Sequence, residues 1–93
     1  MKIGWSTIQT PFNSQRGVGD DVTSYAYDGF KTKKWNRDNL AYGEAWSTGD
    51  IIATLIDFDK KEITFWRNNK SLGPAFTNIK VGANQVYFPA ITL

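Results

Sequence analysis

The fold is decided by residues 49–76, GDIIATLIDFDKKEITFWRNNKSLGPAF. Two apolar runs of strand length, 51–58 and 63–67, flank the charged DKKE, which is too polar to bury and too short to cross a sheet, so the pair reads as a β-hairpin. In the first run Ile52, Thr54, Ile56 and Phe58 share one face and Ile51, Ala53 and Leu55 the other. Neither face is made for water, and the run is expected to be a central strand. In the second run Ile63 and Phe65 face one way and Thr64 and Trp66 the other, the pattern of a strand with one side in the core. Asn68-Asn69 then closes a tight turn, because asparagine tolerates positive φ. Leu72 and Phe76 supply a third short apolar segment.

Working outward, the 93 residues make one domain. A chain of this size buries only about 60 to 65 per cent of the surface its unfolded form exposes. Its core leans on large rings, four Trp, six Phe and four Tyr. The 11 basic and 9 acidic residues give a net charge of +2, with no long single-sign run to demand a nucleic-acid or membrane partner. Without Cys there is no disulfide framework or thiol nucleophile, and without His the commonest general base and metal ligand are missing. No signal-peptide core or membrane-length apolar run occurs, and a cytoplasmic, soluble chain is expected.

In chain order, residues 1–6 form a strand in which Ile3 and Trp5 share a face around Gly4. Residues 7–22, punctuated by Pro11, Asn13, Gly17, Gly19 and Asp20-Asp21, are expected to be a long surface loop. Tyr25 and Tyr27 lead into a turn at Asp28-Gly29, and the chain returns with Lys31, Lys33 and Trp35 on alternate positions, a second hairpin. Residues 36–48 read as polar and irregular, pinned by Leu40, Tyr42 and Trp46. A last strand runs through VYFPAITL, with Pro89 fit only for an edge or a strand end. No helical stripe is present, so the chain is all-β, an antiparallel sandwich without repeats.

The order of landmarks resembles the SPRY domain of the SPRY/B30.2 family. The matching pieces are IGWS (3–6), GVGDD (17–21), SYAYDG (24–29), KKW (33–35), YGEAW (42–46), GDIIATLID (49–57), ITFWRNNKSLGPAF (63–76) and YFPAITL (87–93). The GVGDD, SYAYDG, KKW series is most similar to the SPRY domain of a large RING-type ubiquitin ligase. The resemblance implies a concanavalin-like β-sandwich that binds peptides through loops at its end and recruits substrates for ubiquitin transfer. Two departures stand out. Asn68-Asn69 replaces the family's Asn-Gly turn, and the flanking strands that the family carries on either side are missing. Residues 1–93 are therefore expected to be a single SPRY-like domain incomplete at both ends, with open edges that invite self-association or strand exchange.

The expected peptide site comprises Trp35, Asn36, Arg37, Tyr42 and Trp46, joined by Phe12 and Arg16 of the loop 7–22. Trp35 reads either as a binding anchor beside Asn36 and Arg37 or as a ring folded over the sandwich end. Tyr42 and Trp46 read first as loop pins and second as ligand contacts. Trp5 and Phe65 belong in the core; Trp66 is expected beneath the missing strands. Asp20, Asp21 and Asp28 match no EF-hand spacing and are assigned to turns, with no metal expected. Asp57, Asp59 and Glu62, crowded beside Lys60 and Lys61, read as a solvated hairpin end rather than a glycosidase pair. Lys31, Lys33 and Lys34 beside Trp35 are too few, next to Asp28 and Asp38, for a nucleic-acid site.

These readings converge on a non-catalytic module with no cofactor whose partner is a protein or peptide, docked on the loops 7–22, 36–48 and 67–71. The alternative is a carbohydrate-binding sandwich, which would need Trp35, Trp46 and Trp66 in one exposed row.

Overall fold

The structure is a computed structural model that describes residues 1–7, 10, 17–82 and 85–93. Among these residues eight strands follow one another: β1 (Lys2–Thr7), β2 (Ser24–Asp28), β3 (Lys33–Asn36), β4 (Asp38–Ala41), β5 (Ile52–Asp57), β6 (Glu62–Arg67), β7 (Lys70–Phe76) and β8 (Tyr87–Thr92). They form a five-stranded sheet of order β4-β3-β2-β1-β8 and a three-stranded sheet of order β5-β6-β7, antiparallel throughout. No helix occurs among the described residues.

Local chemistry explains the hairpins. Asp57 Oδ1 accepts from the backbone N–H groups of Asp59 and Lys60, both at 3.0 Å, so the acidic residue shapes the turn between β5 and β6. Asn68 and Asn69 take φ of 51° and 68°, the two left-handed positions that a tight turn between twisted strands requires. Asp28 Oδ1 likewise accepts from Phe30 N and Lys31 N at 2.9 and 3.1 Å.

The two sheets meet through rings. Tyr27, Phe65 and Ile63 are fully buried, and Tyr27 stands edge-on to Tyr42, Trp46 and Phe65 at 5.1 to 5.3 Å between centroids. Polar tips bridge the layers as well. Trp5 Nε1 donates to Thr54 Oγ1 (3.1 Å), Tyr42 OH to Gly73 O (2.6 Å), and Lys34 Nζ to Ala75 O. These bridges set the three-stranded sheet over β1, β2 and β3, with β5 above β1. The five-stranded sheet therefore projects one strand beyond its partner on each side, β8 on one flank and β4 on the other.

Three expectations are corrected. The central strand of the hairpin sheet is β6, and β5 is an edge, with Ile51, Ala53 and Leu55 turned outward and exposed. Apolar residues on both faces of β5 imitate burial on both faces. Within 36–48 the chain reverses at Arg37, held at φ 67°, and forms β4, whose DNLA has no alternation to announce a strand. Residues 17–19 of the expected surface loop are buried against the outer face of the five-stranded sheet, and Val18 is wholly enclosed. Gly19 makes this possible: a Cβ there would stand 2.7 Å from both Ala26 Cβ and Trp35 Cβ. Trp66 is half-buried on the outer face of the three-stranded sheet, paired with Ala53 and Ser71.

Candidate functional site

Strand direction gives the sandwich two ends. Residues 17–23, the reversal at 36–38, the turn 58–61 and residues 77–82 and 85–86 gather where β1 finishes and β8 begins. The turn 28–33, the loop 42–50 and the turn 68–69 gather at the opposite end. The described residues 17–22 of the loop 7–22 and the loop 67–71, expected together, are thus separated by the length of the strands, and 36–48 runs from one end to the other.

At the second end the loop 42–50 is tied down along its length. Tyr42 is held between the sheets, and burial pushes its phenol up to about 12. Tyr27 OH donates to Glu44 O and accepts from Glu44 N (2.8 Å). Trp46 lies flat on Gly29, where a Cβ would stand 1.9 Å from the indole, so only glycine admits the ring. Asp50 accepts from Ser47 N (2.7 Å), Arg67 Nε (2.7 Å) and Asn68 Nδ2 (2.9 Å). These bonds, Ser47 first, lower its carboxyl to about 2. Glu44 binds Lys70 Nζ at 2.6 Å and Arg67 Nη1 at 3.4 Å, and the Lys70 hydrogen bond holds its carboxyl below the usual range. Tyr42 and Trp46 serve as pins here.

Among the described residues the first end is open. Asn36 Nδ2 donates to Val22 O (3.0 Å) and Ser24 O (2.8 Å), and Arg37 N donates to Gly19 O (2.9 Å). These bonds fix a ridge of Val22, Asn36 and Arg37, from which the Arg37 side chain extends into solvent. A hollow lies on each side of the ridge. One, of about 160 Å³, is walled by Thr7, Thr23, Tyr25, Lys80 and Tyr87. Tyr87 OH donates to Lys80 O (2.6 Å), and burial pushes its phenol up to about 12. The other, of about 270 Å³, is walled by Lys34, Asp38, Leu40, Phe76 and Thr77. The Lys34 ammonium sits 5.7 and 5.8 Å from the Phe76 and Tyr42 rings, a cation held by π faces and one carbonyl.

Trp35 lies beside this ridge but on the outer face of the five-stranded sheet. Its half-buried ring packs under Gly19, with Lys2 Nζ at 5.0 Å and Lys31 Nζ at 5.9 Å from the centroid. Lys2 is in turn paired with Asp20 at 2.6 Å. The structure thus brings Trp35, Asn36 and Arg37 together, sends Tyr42 and Trp46 to the far end, and leaves Phe12 and Arg16 outside the described residues. The walls supplied by Lys34, Tyr25 and Tyr87 were not among the sequence candidates. Their signal was alternation, which puts Lys34 on the same face of its hairpin as Tyr25 and Tyr27.

Trp35, Trp46 and Trp66 occupy three different surfaces, so the row of rings that a sugar-binding sandwich would need is absent. Asp57 shapes its own turn, and no group of three His, Cys, Asp or Glu that could hold a metal occurs among the described residues.

The family described as the SPRY domain matches residues 1–93. The chain is 48% identical over 94 aligned residues to E3 ubiquitin-protein ligase RKP of Arabidopsis thaliana, covering all of this chain and 7% of that protein. It is 32% identical over 92 residues to ATP-dependent RNA helicase Ddx1 of Drosophila melanogaster, covering 99% of this chain and 12% of that protein. The chain therefore spans only a small part of either relative.

Proposed function

We propose that this chain, which belongs to the SPRY domain family, is a non-catalytic interaction module that holds a short peptide across the ridge Val22-Asn36-Arg37. The observation that carries the reading is the pair of hollows flanking that ridge, each with an aromatic wall and a lysine, on backbone fixed by the Asn36 and Arg37 hydrogen bonds. A rigid ridge costs little entropy on docking, and an exposed arginine between two pockets supplies directional donors to a peptide's carbonyls or carboxylates.

The relatives favour a binding role over a catalytic one. Their names state different activities, a ubiquitin ligase and a helicase, while the shared segment is a small fraction of each. What the two proteins share through this segment is then a means of holding something. In a ligase context the module recruits substrates for ubiquitin transfer, inside the cell. No helix among the described residues is long and apolar enough to cross a membrane.

The test is a peptide-library screen followed by titration of the selected peptide into wild type, Arg37→Ala and Trp35→Ala, with thermal melts of each. Arg37→Ala should weaken binding by about tenfold or more at unchanged melting temperature, as for a central arginine anchor. Affinity unchanged in both variants would remove the ridge from the site and end this reading.

A further inference from the structure

We infer that Asp20 is a positioning residue for the peptide ridge: its carboxylate closes the turn 17–20, whose Gly19 carbonyl holds Arg37 in the backbone conformation that presents its side chain. The inference rests on the reading of Val22-Asn36-Arg37 as the binding ridge, and it assigns to that ridge the device that keeps its shape.

Local chemistry builds the turn. Asp20 N donates to Gly17 O (3.2 Å) and Gly17 N donates to Asp20 Oδ2 (2.7 Å), so backbone and side chain close the same four residues from both directions. Gly19, at φ 87°, fills the third place of the turn, where a positive φ is required. Val18 N donates to Thr92 Oγ1 (2.9 Å) and Gly19 N to Ser24 Oγ (2.8 Å). Each N–H of 17–20 thus has an acceptor, and Val18 is wholly enclosed. A segment bonded at every donor moves as one piece.

Asp20 also ties the turn to the sheet. Its other oxygen, Oδ1, accepts from Lys2 Nζ at 2.6 Å, and the side chains of the pair are only 15% and 30% exposed. Lys2 Nζ lies 5.0 Å from the centre of the Trp35 ring, and Gly19 packs against Trp35 Cβ. The carboxylate is therefore fixed at both oxygens, one to the turn and one to a cation seated on β3.

What the turn holds is Arg37. At φ 67° this residue occupies a region that strains any residue with a side chain, and such a conformation persists only where its neighbours impose it. Gly19 O imposes it by accepting from Arg37 N at 2.9 Å. Ser24 couples turn and ridge a second time, because its hydroxyl takes Gly19 N while its carbonyl takes Asn36 Nδ2 at 2.8 Å. The contacts run in a ring from Lys2 through Asp20, Gly19 and Arg37 back to Trp35, two residues before Arg37 in the chain. Asp20 is not among the described residues that wall either hollow, so it acts on binding through Arg37.

The test combines amide hydrogen exchange with titration of the library-selected peptide. It compares wild type, Asp20→Ala, Asp20→Asn, Arg37→Ala and the Asp20→Ala, Arg37→Ala double variant, with thermal melts of each. In wild type the Arg37 amide should exchange about 100-fold or more slower than in an unstructured peptide, a measurement that stands whether or not the alanine variant folds. Asp20→Ala should speed that exchange about tenfold and weaken binding about fivefold, the coupling expected between residues of one hydrogen-bond network. Asp20→Asn removes the same charge but keeps an oxygen for Gly17 N, so both quantities should stay within about twofold of wild type. On the Arg37→Ala background Asp20→Ala should change affinity by less than about twofold, since the residue it positions is gone.

A wild-type Arg37 amide that exchanges as fast as an unstructured one would overturn the inference. Equal weakening by Asp20→Ala and Asp20→Asn would overturn it too, by showing an effect of charge alone, as would an undiminished loss on the Arg37→Ala background. If Asp20→Ala lowers only the melting temperature while Arg37→Ala weakens binding, the inference falls and the ridge reading stands. Unchanged affinity in Arg37→Ala would end the ridge reading itself, and this inference with it.

Discussion

The two ends of the sandwich use the same kinds of residue to opposite effect. At one end aromatic rings and charges are spent on the chain itself. Trp46 covers Gly29, Tyr42 reaches Gly73, and Asp50 and Glu44 grip Arg67 and Lys70, so that the loop 42–50 closes the space between the sheets. At the other end the described backbone is hydrogen-bonded too, yet Arg37 is exposed and two hollows lie between the described loop residues. An ordered backbone with unspent side chains is what recognition needs, whereas an ordered backbone with spent side chains is what folding needs. Composition alone cannot separate the two, since each end has its aromatic, its arginine and its polar loop.

This contrast can be broken most easily at the closed end. Trp46→Ala should cost about 3 kcal/mol by removing a ring packed on Gly29 and Tyr27, read by urea denaturation; a loss under about 1 kcal/mol would mean the loop is held by its charges instead. Tyr42→Phe removes the hydroxyl that donates to Gly73 O and should cost about 1 kcal/mol. It should also reduce the alkaline instability that the tyrosine brings. Its folded value of about 12 lies above the usual 10.0, so its contribution is complete below pH 10 and is lost as pH rises toward 12.

Acid should act more gently, because the charges involved are only partly buried and remain screened by solvent. Asp50 titrates in the folded chain at about 2 against an ordinary 3.8, so the stability it contributes is present above pH 4 and disappears as pH falls toward 2. Glu44, also lowered, acts in the same direction from about 4.5 downward. Melts across that range should flatten in an Asp50→Asn, Glu44→Gln double variant; identical profiles would show that the network does not hold the loop. The smallest effect on stability belongs to the open end, where Arg37→Ala should change the unfolding free energy by less than about 0.5 kcal/mol.

Much of the fold was legible in the chain. Alternation in 63–67 placed Ile63 and Phe65 in the core, Asn68-Asn69 closed its turn, and the hairpin from Tyr25 to Trp35 formed as its spacing requires. The edge position of β5 was not legible, because periodicity reports which faces are apolar and not what lies on them. Nor was the burial of 17–19, where Gly17, Val18 and Gly19 look like loop and act as a close-packed strap over Ala26 and Trp35. The candidate site was half legible. Asn36 and Arg37 stand where a ridge needs them, but Tyr42 and Trp46 share their composition and not their end, since assigning an aromatic to one end or the other requires the strand register.

Recognition at the open end is tested most directly by amide chemical-shift mapping with the library-selected peptide. Perturbations confined to Thr7, Val22, Thr23, Asn36, Arg37, Thr77 and Gln85, with 42–50 silent, are the predicted result. Perturbations centred on 42–50 and 68–70, with the ridge silent, would contradict it.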